Sequence, residues 1–409
     1  MPNTKGSAGK ELLLKKKTLI FIEDGSFTYD NRVVREANAL VEAGWEVTVI
    51  SPKYSDDPFY KKLNDKLRAY YYPKPNAKGE IGHIVEHSFS IFFGSLLTLW
   101  VFLRHGFSIF QACNPMDIGW MISLPYNVFG RKFIFDQHDI CPELYLSRGG
   151  GSDSDLPYKL LKFLEKKSYQ FSDAVIATNE SYKEIAVTRG GKTPEEVFVV
   201  RNGPDLNKFR KVSPRNGFKK DGETLVGYLG NMNIQDGVDY LLRAAEDIHH
   251  KHGRKDIKYV LIGGGSHRHV LMEMAKKMGL DDIVTFTGRV PDDEMLETLS
   301  ACDICVQPDP FNPLNDKSTM NKVMEYMAIE KPVVAFELKE TKVTCGNTAL
   351  YATRNVTSDL CEKIIFLADN PEVRIKMGRA GRERVEKYFS WEFSIPHLIS
   401  AYEYVIRSF

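Results

Sequence analysis

The sequence lacks the features that mark a nucleic-acid-binding protein or a disulfide-stabilised secreted protein. Among its 409 residues, 55 Lys and Arg balance 54 Asp and Glu, so no basic excess favours a nucleic-acid partner. Six cysteines are scattered from Cys113 to Cys361 without the dense spacing of a disulfide framework, which is typical of thiols in a reducing compartment. We therefore predict a cytoplasmic protein that has no nucleic-acid partner.

Residues 1–17, MPNTKGSAGKELLLKKK, contain no apolar stretch followed by a small-residue cleavage site. We expect this segment to be a mobile basic tail rather than a signal peptide. The whole chain is longer than one hydrophobic core usually supports, and a 43% share of hydrophobic residues suffices for two cores. The composition thus predicts two domains.

Short runs rich in Val, Ile and Phe alternate with longer amphipathic stretches along the chain. This alternation predicts βαβ units and parallel sheets, whose ligands lie beyond the carboxyl ends of the strands. A polar segment without periodicity, 204–223, separates two such series and is predicted to be a linker. We therefore expect an α/β fold of two Rossmann-like domains, 18–203 and 224–385, facing each other across a cleft. The C-terminal helix within 386–409 could cross back to the first domain.

The segment FSIFFGSLLTLWVFL, residues 89–103, is apolar on nearly every side but shorter than the roughly 20 residues that span a bilayer. Just before it, basic residues are interleaved with Tyr70, Tyr71 and Tyr72, a composition suited to an anionic membrane surface. Two interpretations stay open. Residues 60–103 either make peripheral contact with a membrane or form a core helix beside a solvated, charged loop.

Five segments, in order along the chain, resemble the family 4 glycosyltransferases. In the first half these are NRVVREANALVEAGWEVTVIS and FDQHDICPEL, and in the second VGYLGN, VTFTGRVPDDEM and NKVMEYMAIEKPVVA. The resemblance implies the two-domain GT-B fold and sugar transfer, with retention of anomeric configuration, from a UDP- or GDP-type nucleotide diphosphate sugar. The acceptor would be a hydroxyl group of a glycan, a lipid-linked molecule or a small molecule, and no cofactor is implied.

The resemblance also implies roles for single residues. Glu325 matches the glutamate that binds the donor ribose, and His138 matches a histidine that contacts sugar or acceptor near the reacting carbon. Gly25 follows the first strand, where the backbone approaches the ligand, and Gly230 ends the first strand of the second half. The alternatives are an exposed helical glutamate, a core histidine and, for Gly25, an ordinary turn.

Two departures from the family pattern concern the donor site. Lys317, preceded by Asp316, stands where the family has its first glutamate. Asn231 and Asp236 stand where two phosphate-binding cations are usual. Since a diphosphate leaving group develops negative charge, other cations are expected to replace them, and Lys322 and Arg289 are the candidates, with a solvated lysine and arginine as the alternative.

No metal is predicted, because the Asp-x-Asp triplet at 153–155 lies in the run GGGSDSD, which reads as a solvated loop. The glycines at 263–265 lack the full dinucleotide fingerprint, which disfavours a nicotinamide enzyme. The missing glutamate and cations keep two rivals open: a non-catalytic subunit that binds a sugar nucleotide, and a sugar-nucleotide epimerase with the GT-B fold.

Overall fold

The computed structural model describes residues 16–54, 56–75, 79–148 and 151–407. The chain forms two compact units. The first takes in the chain up to Leu144 together with Ser152–Arg201 and Ser394–Phe409, and the second takes in Tyr145–Gly151 and Asn202–Phe393. The predicted basic tail at 1–17 lies almost wholly outside the described residues.

An eight-stranded sheet forms the centre of the first unit, with strand order β3-β4-β2-β1-β5-β6-β7-β8. The described strands are parallel except β3, which pairs antiparallel with β4 at one edge. The strands are β1 (Lys17–Ile22), β2 (Glu46–Pro52), β3 (Tyr60–Lys62), β4 (Leu67–Tyr72), β5 (Ile109–Cys113), β6 (Lys132–Gln137), β7 (Ala174–Ala177) and β8 (Val197–Val199).

Helices connect these strands. Their bounds are α1 (Asn31–Glu42), α2 (Gly79–Arg104), α3 (Gly119–Asn127), α4 (Cys141–Ser147), α5 (Leu156–Phe171) and α6 (Glu180–Thr188). The Asp30 carboxylate accepts hydrogen bonds from the backbone N–H groups of Arg32 and Val33 at the start of α1, and Gly44, at φ +92°, follows its end.

The second unit contains a six-stranded parallel sheet in the order β11-β10-β9-β12-β13-β14. Its strands are β9 (Thr224–Leu229), β10 (Ile257–Ile262), β11 (Val284–Gly288), β12 (Ile304–Gln307), β13 (Val333–Phe336) and β14 (Ala349–Ala352). The helices are α7 (Val238–Glu246), α8 (Arg268–Lys277), α9 (Asp292–Ala301), α10 (Asn321–Ala328), α11 (Lys339–Cys345), α12 (Thr357–Asp369), α13 (Pro371–Tyr388) and α14 (Trp391–Arg407). The predicted α/β fold with two parallel-sheet domains is confirmed.

Two elements differ from the sequence-based expectation. The basic and aromatic stretch, for which membrane contact was one of two open interpretations, contains β3 and β4, and its three tyrosines, Tyr70 to Tyr72, are buried beside β2 rather than exposed. Strand β14 was not predicted. The segment 204–223 packs on the second unit, because Phe209 is 9% exposed and belongs to that unit's core.

Three helices cover one face of the first sheet. Phe21, Ala112 and Phe135 are register partners on adjacent strands, so their side chains point to the same face. Gly94 of α2 lies so close to Phe21 that a Cβ atom there would be 2.6 Å from the ring, and Gly119 of α3 meets Ala112 equally closely. The rings of Tyr169, in α5, and Phe135 are 5.4 Å apart. Helices α2, α3 and α5 thus form one layer.

Helix α2 buries small residues and exposes large ones. Ser90, Gly94 and Thr98 face the protein. Its opposite side carries Val85, Phe89, Phe92, Leu96, Leu99, Trp100 and Leu103, each at least 40% exposed. The 20-residue window Val85–Arg104 is long and apolar enough to span a bilayer by length and composition, and 22% of that window is buried. The predicted apolar segment of 15 residues was therefore too short.

Helix α14 contributes its residues from Ser394 onward to the first unit. The Tyr402 ring packs edge-on against Trp45, with 4.8 Å between centroids, and its hydroxyl lies 3.3 Å from that of Thr18 in β1. It also donates a hydrogen bond to the Gln111 side chain of β5. The C-terminal helix is thus part of the first unit's core.

Candidate functional site

The loops after β9 and β10 meet at the carboxyl edge of the second sheet. A Cβ atom on Gly263 would lie 1.9 Å from the carbonyl oxygen of Gly230, so this close approach of two backbones requires glycine. The Asn233 side-chain oxygen accepts hydrogen bonds from the backbone N–H and the hydroxyl of Ser266. The two loops are therefore held against each other.

Lys322 lies at this edge, in the first turn of α10 as predicted. A Cβ atom on Gly230 would be 3.3 Å from Lys322 Cε. The Lys322 ammonium lies 3.0 and 2.9 Å from the two carboxylate oxygens of Asp309, and its side chain is 10% exposed. It also lies 5.0 Å from the ring centroid of Tyr228. The sequence did not predict this buried carboxylate partner.

Arg289 lies beside the glycines that follow β10. A Cβ atom on Gly264 would be 3.3 Å from both the Cγ and the Nε atom of Arg289. The side chain is exposed, and among the described residues its guanidinium has no hydrogen-bond or ion-pair partner. The backbone N–H groups of Asn231 and Gly264 likewise have no partner within the described chain. Within the described part of the chain, Arg289 is thus an unpaired cation at this edge, and Asn231 and Gly264 offer two amide donors without a partner.

Glu325 lies three residues after Lys322 on α10 and is partly exposed. Residues three apart on a helix are neighbours on its surface, so Glu325 and Lys322 share a face. The next residue, Tyr326, is buried, and its hydroxyl accepts a hydrogen bond of 2.7 Å from the backbone N–H of Leu229. This bond fixes α10 against the end of β9.

Asp236 and Asp316, which lie at or next to positions that depart from the family pattern, have structural partners. Asp236 caps the short turn after β9 by accepting the backbone N–H of Asn233 at 2.9 Å. Burial raises the pKa of Asp236, and the nearby Asp309 acts in the same direction while Lys322 opposes it. Asp316 accepts the backbone N–H of Lys339, the first residue of α11, at 2.9 Å. Both carboxylates therefore organise loops.

In the first unit, Gly25 follows β1 with φ +89°, and a Cβ atom there would have no heavy atom within 4 Å. The left-handed backbone conformation alone accounts for glycine, as in an ordinary turn. Glu23, two residues earlier, is buried, with Oε1 2.8 Å from His87 Nδ1, and its Oε2 accepts the backbone N–H of Met116. Nothing in the sequence pattern singled out Glu23.

His138 follows β6 and is fixed at both its ring and its backbone. Its Nε2 lies 3.0 Å from Asp136 Oδ2, and its backbone N–H donates to Asn114 Oδ1 at 2.6 Å. The Asn114 oxygen also accepts the N–H of Asp139. Burial lowers the pKa of His138, but the charge and hydrogen bond of Asp136 outweigh burial, so the pKa is raised. His138 therefore carries positive charge more readily than an ordinary histidine.

A buried charge network supports His138. Asp136 accepts a hydrogen bond of 3.1 Å from Arg32 and one of 2.8 Å from Gln111, and Arg32 Nε lies 3.0 Å from Glu36. Burial, followed by the charge of Asp136, raises the pKa of Glu36 to about 8. Although burial opposes ionisation of Asp136, His138 and Arg32 hold its pKa below the ordinary value. The sequence pattern of α1 predicts that Arg32 and Glu36 lie on a helix, but it does not predict that they join a buried charge network with Asp136.

Cys113, Asp136 and His138 have ligand atoms within 4.8 Å of one another, a spacing that a metal ion could use. The donor set fits a cation poorly, because Asp136 is already paired with Arg32 and burial raises the pKa of the Cys113 thiol well above its ordinary value. At the Asp-x-Asp triplet, the Asp155 carboxylate accepts the backbone N–H of Ser152 at 2.6 Å. This contact is a turn within a loop.

Comparison with protein families gives one match in each half of the chain. The model for Glycosyltransferase Family 4 matches residues 30–208, and the model for Glycosyl transferases group 1 matches residues 223–370. Together these matches cover most of the chain, and the first ends and the second begins within 202–223, at the start of the long segment of the second unit. The class is thus a glycosyltransferase with the two-unit GT-B fold.

The chain belongs to the family 4 glycosyltransferases, as the sequence resemblance implied. It is 25% identical over 260 residues to D-inositol 3-phosphate glycosyltransferase from Corynebacterium kroppenstedtii, covering 60% of this chain and 56% of that protein. The aligned region thus spans less than two thirds of that relative's length.

Two solved structures share the fold. Sucrose-phosphate synthase from Thermosynechococcus elongatus aligns with a TM-score of 0.79 at 17% identity, over 97% of this chain and 100% of that one. HepE from Anabaena, in complex with UDP and glucose, aligns with a TM-score of 0.68 at 16% identity, over 93% of this chain and 98% of that one. These likenesses establish the fold.

Proposed function

We propose that the protein transfers a sugar from a nucleotide diphosphate sugar of the UDP or GDP type to a hydroxyl acceptor, a glycan or lipid-linked molecule. The observation that carries this proposal is the carboxyl edge of the second sheet, where Lys322 lies beside Gly230, the Gly230 backbone approaches Gly263, and Arg289 lies beside Gly264. Glu325 lies on the same helix face as Lys322. Family membership and the UDP and glucose bound to HepE support a nucleotide-sugar donor.

The chemistry of this edge suits a diphosphate leaving group. Negative charge grows on the phosphates as the glycosidic bond breaks, so cations and backbone N–H groups that already point there lower the barrier. Arg289 and the N–H groups of Asn231 and Gly264 are available for this purpose, and Lys322 lies at a helix amino terminus, where the dipole also favours an anion. Glu325 would accept hydrogen bonds from the ribose hydroxyls.

His138 of the first unit is proposed to contact the reacting sugar, where its positive charge and its fixed orientation would steady charge in the transition state. Retention is proposed from the family resemblance. Since the described residues offer no candidate for a covalent nucleophile, the proposed reaction is a same-face substitution through a short-lived oxocarbenium-like species. No divalent metal takes part in the proposed reaction. The cations and backbone amides of the second unit would stabilise the charge of the leaving diphosphate in its place.

A donor and acceptor screen tests this function. The purified protein is incubated with UDP- and GDP-sugars, with and without an acceptor lipid or glycan, and products are resolved by mass spectrometry. Transfer with an unchanged anomeric configuration, read by NMR, is expected. Donor binding without turnover would identify a non-catalytic subunit, and a changed donor sugar without acceptor would identify an epimerase.

We further propose that the protein is cytoplasmic and contacts an anionic membrane surface peripherally, through α2. The supporting observation is the exposed row from Val85 to Leu103, whose side chains recur at spacings of three and four residues and so share one helix face. Because the opposite face packs on Phe21, the helix would lie along the membrane rather than cross it.

A further inference from the structure

Helix α5 carries a second exposed apolar row in the same layer as α2. Leu156, Leu160 and Phe163 are 79%, 51% and 50% exposed, and their spacing of four and three residues places them on one face. The buried residues of α5 include Glu165 and Tyr169, on its other side. Three large apolar side chains therefore face away from the protein.

Four lysines surround this row. Lys159, Lys162, Lys166 and Lys167 are exposed or partly exposed, and the acidic residue of the helix, Glu165, is buried and paired with Arg189 at 2.5 Å. Lys167 Nζ lies 5.6 Å from the ring centroid of Phe163, so its charged end is close to the apolar row. The outward face of α5 thus carries an apolar row, with Lys159, Lys162 and Lys166 along one margin and Lys167 beside Phe163.

Helix α3 connects the two apolar faces. Phe102 of α2 packs on Tyr126 at 5.1 Å between ring centroids, and Trp120 of α3 stacks on Phe171 of α5 at 5.2 Å. Just after α3, Val128 and Phe129 are 86% and 62% exposed. Since all three helices cover the same face of the first sheet, their exposed apolar residues lie on one side of the first unit.

We propose that α5 is a second membrane-contacting element, in which the four lysines bind anionic lipid headgroups while Leu156, Leu160 and Phe163 enter the interface. This inference rests on the proposed membrane contact of α2 and supplies its electrostatic part. The charge pattern selects an anionic lipid surface over an apolar protein partner, because lysine side chains extend their charge to headgroups while their methylenes cover apolar surface.

The test measures binding of the full chain to sedimented phosphatidylcholine vesicles with and without phosphatidylglycerol. Replacement of all four lysines by Gln should weaken binding to the anionic vesicles by at least about a hundredfold, since each lysine near such a surface contributes about fivefold. The matched control replaces the exposed Lys276, Lys277, Lys376 and Lys387 of the second unit by Gln and removes the same charge. It should keep most of the parental affinity.

A second variant tests the apolar part. Leu160→Ser with Phe163→Ser should weaken binding at high and low salt alike, and circular dichroism melting should show an unchanged fold because both side chains are at least half exposed. If the parent binds anionic vesicles and the α5 lysine variant binds equally well, the role of α5 is refuted while α2 remains. If the parent itself does not bind, the membrane proposal for α2 fails as well.

Discussion

Replacing Lys322 by Ala perturbs both the proposed chemistry and a buried ion pair. If the lysine stabilises the leaving diphosphate, its loss should slow transfer by roughly a hundredfold or more, which corresponds to about 2.7 kcal/mol of activation free energy. The same change leaves the Asp309 carboxylate, 2% exposed, without its cation. Breaking a buried pair in this way costs about 3–5 kcal/mol of folding free energy. A slow variant could therefore be slow for either reason.

The double variant Lys322→Ala with Asp309→Asn separates the two effects. It removes both members of the pair, so most of the lost stability should return in urea unfolding, whereas transfer should stay slow because the cation is still absent.

The assay compares initial transfer rates at saturating donor with binding of the nucleoside alone. Nucleoside binding should survive in both variants, because Lys322 is assigned to the phosphates and Glu325 to the ribose. If either folded variant transfers sugar at close to the parental rate, Lys322 has only its structural role with Asp309. Arg289 or Lys317 would then become the better candidate.

The remaining predictions concern the metal, His138 and the membrane. Transfer should persist in EDTA and gain nothing from magnesium or manganese, so abolition by EDTA with rescue by either metal would contradict the proposed electrostatics. His138→Ala should lower turnover far more than donor binding, and unchanged turnover in a folded protein would remove the assignment. Asp136→Asn should lower the pKa of His138, because Asp136 holds this pKa above its ordinary value, and NMR titration would measure the change. In the parent, the stabilisation from this pair is complete below the unfolded histidine pKa. It is lost as the pH rises through the raised folded pKa. Phe92→Ser with Leu103→Ser should reduce flotation with anionic vesicles at low salt, whereas an unchanged bound fraction would count against α2.

The alternation of β-branched runs with amphipathic stretches sufficed to predict both parallel sheets, because burial on both faces makes such strands continuously apolar. The sequence-based prediction was wrong in one segment, where a mixture of basic and aromatic residues pointed to a surface. The basic residues around Tyr70 to Tyr72 suggested a surface, yet β4 places these tyrosines beside β2 in the core. The charged residues in that segment occupy alternate or flanking positions. Three consecutive aromatic residues have no periodicity of their own, so the sequence alone cannot distinguish a buried strand from a surface segment.

The sequence predicts candidate residues of the site but not the groups that pair with them. Lys322, in the first turn of α10, is one example. Its partner Asp309 follows β12, and only the fold brings the two together. The same holds for His138, whose neighbour Asp136 is two residues away, while Arg32 and Gln111 come from distant segments. Long-range ion pairs leave no spacing signal in one sequence.

The position of α14 has a consequence for synthesis of the chain on the ribosome. Thr18, Trp45 and Gln111 are translated before residues 202–393, yet their contacts with Tyr402 can form only after that part of the second unit has been made. The nascent first unit thus exposes part of its core for most of translation, whereas residues 202–393 of the second unit are contiguous and could fold as they emerge. We expect ribosome-bound chains stalled before residue 394 to be cleaved by proteases within the first unit more readily than released chains.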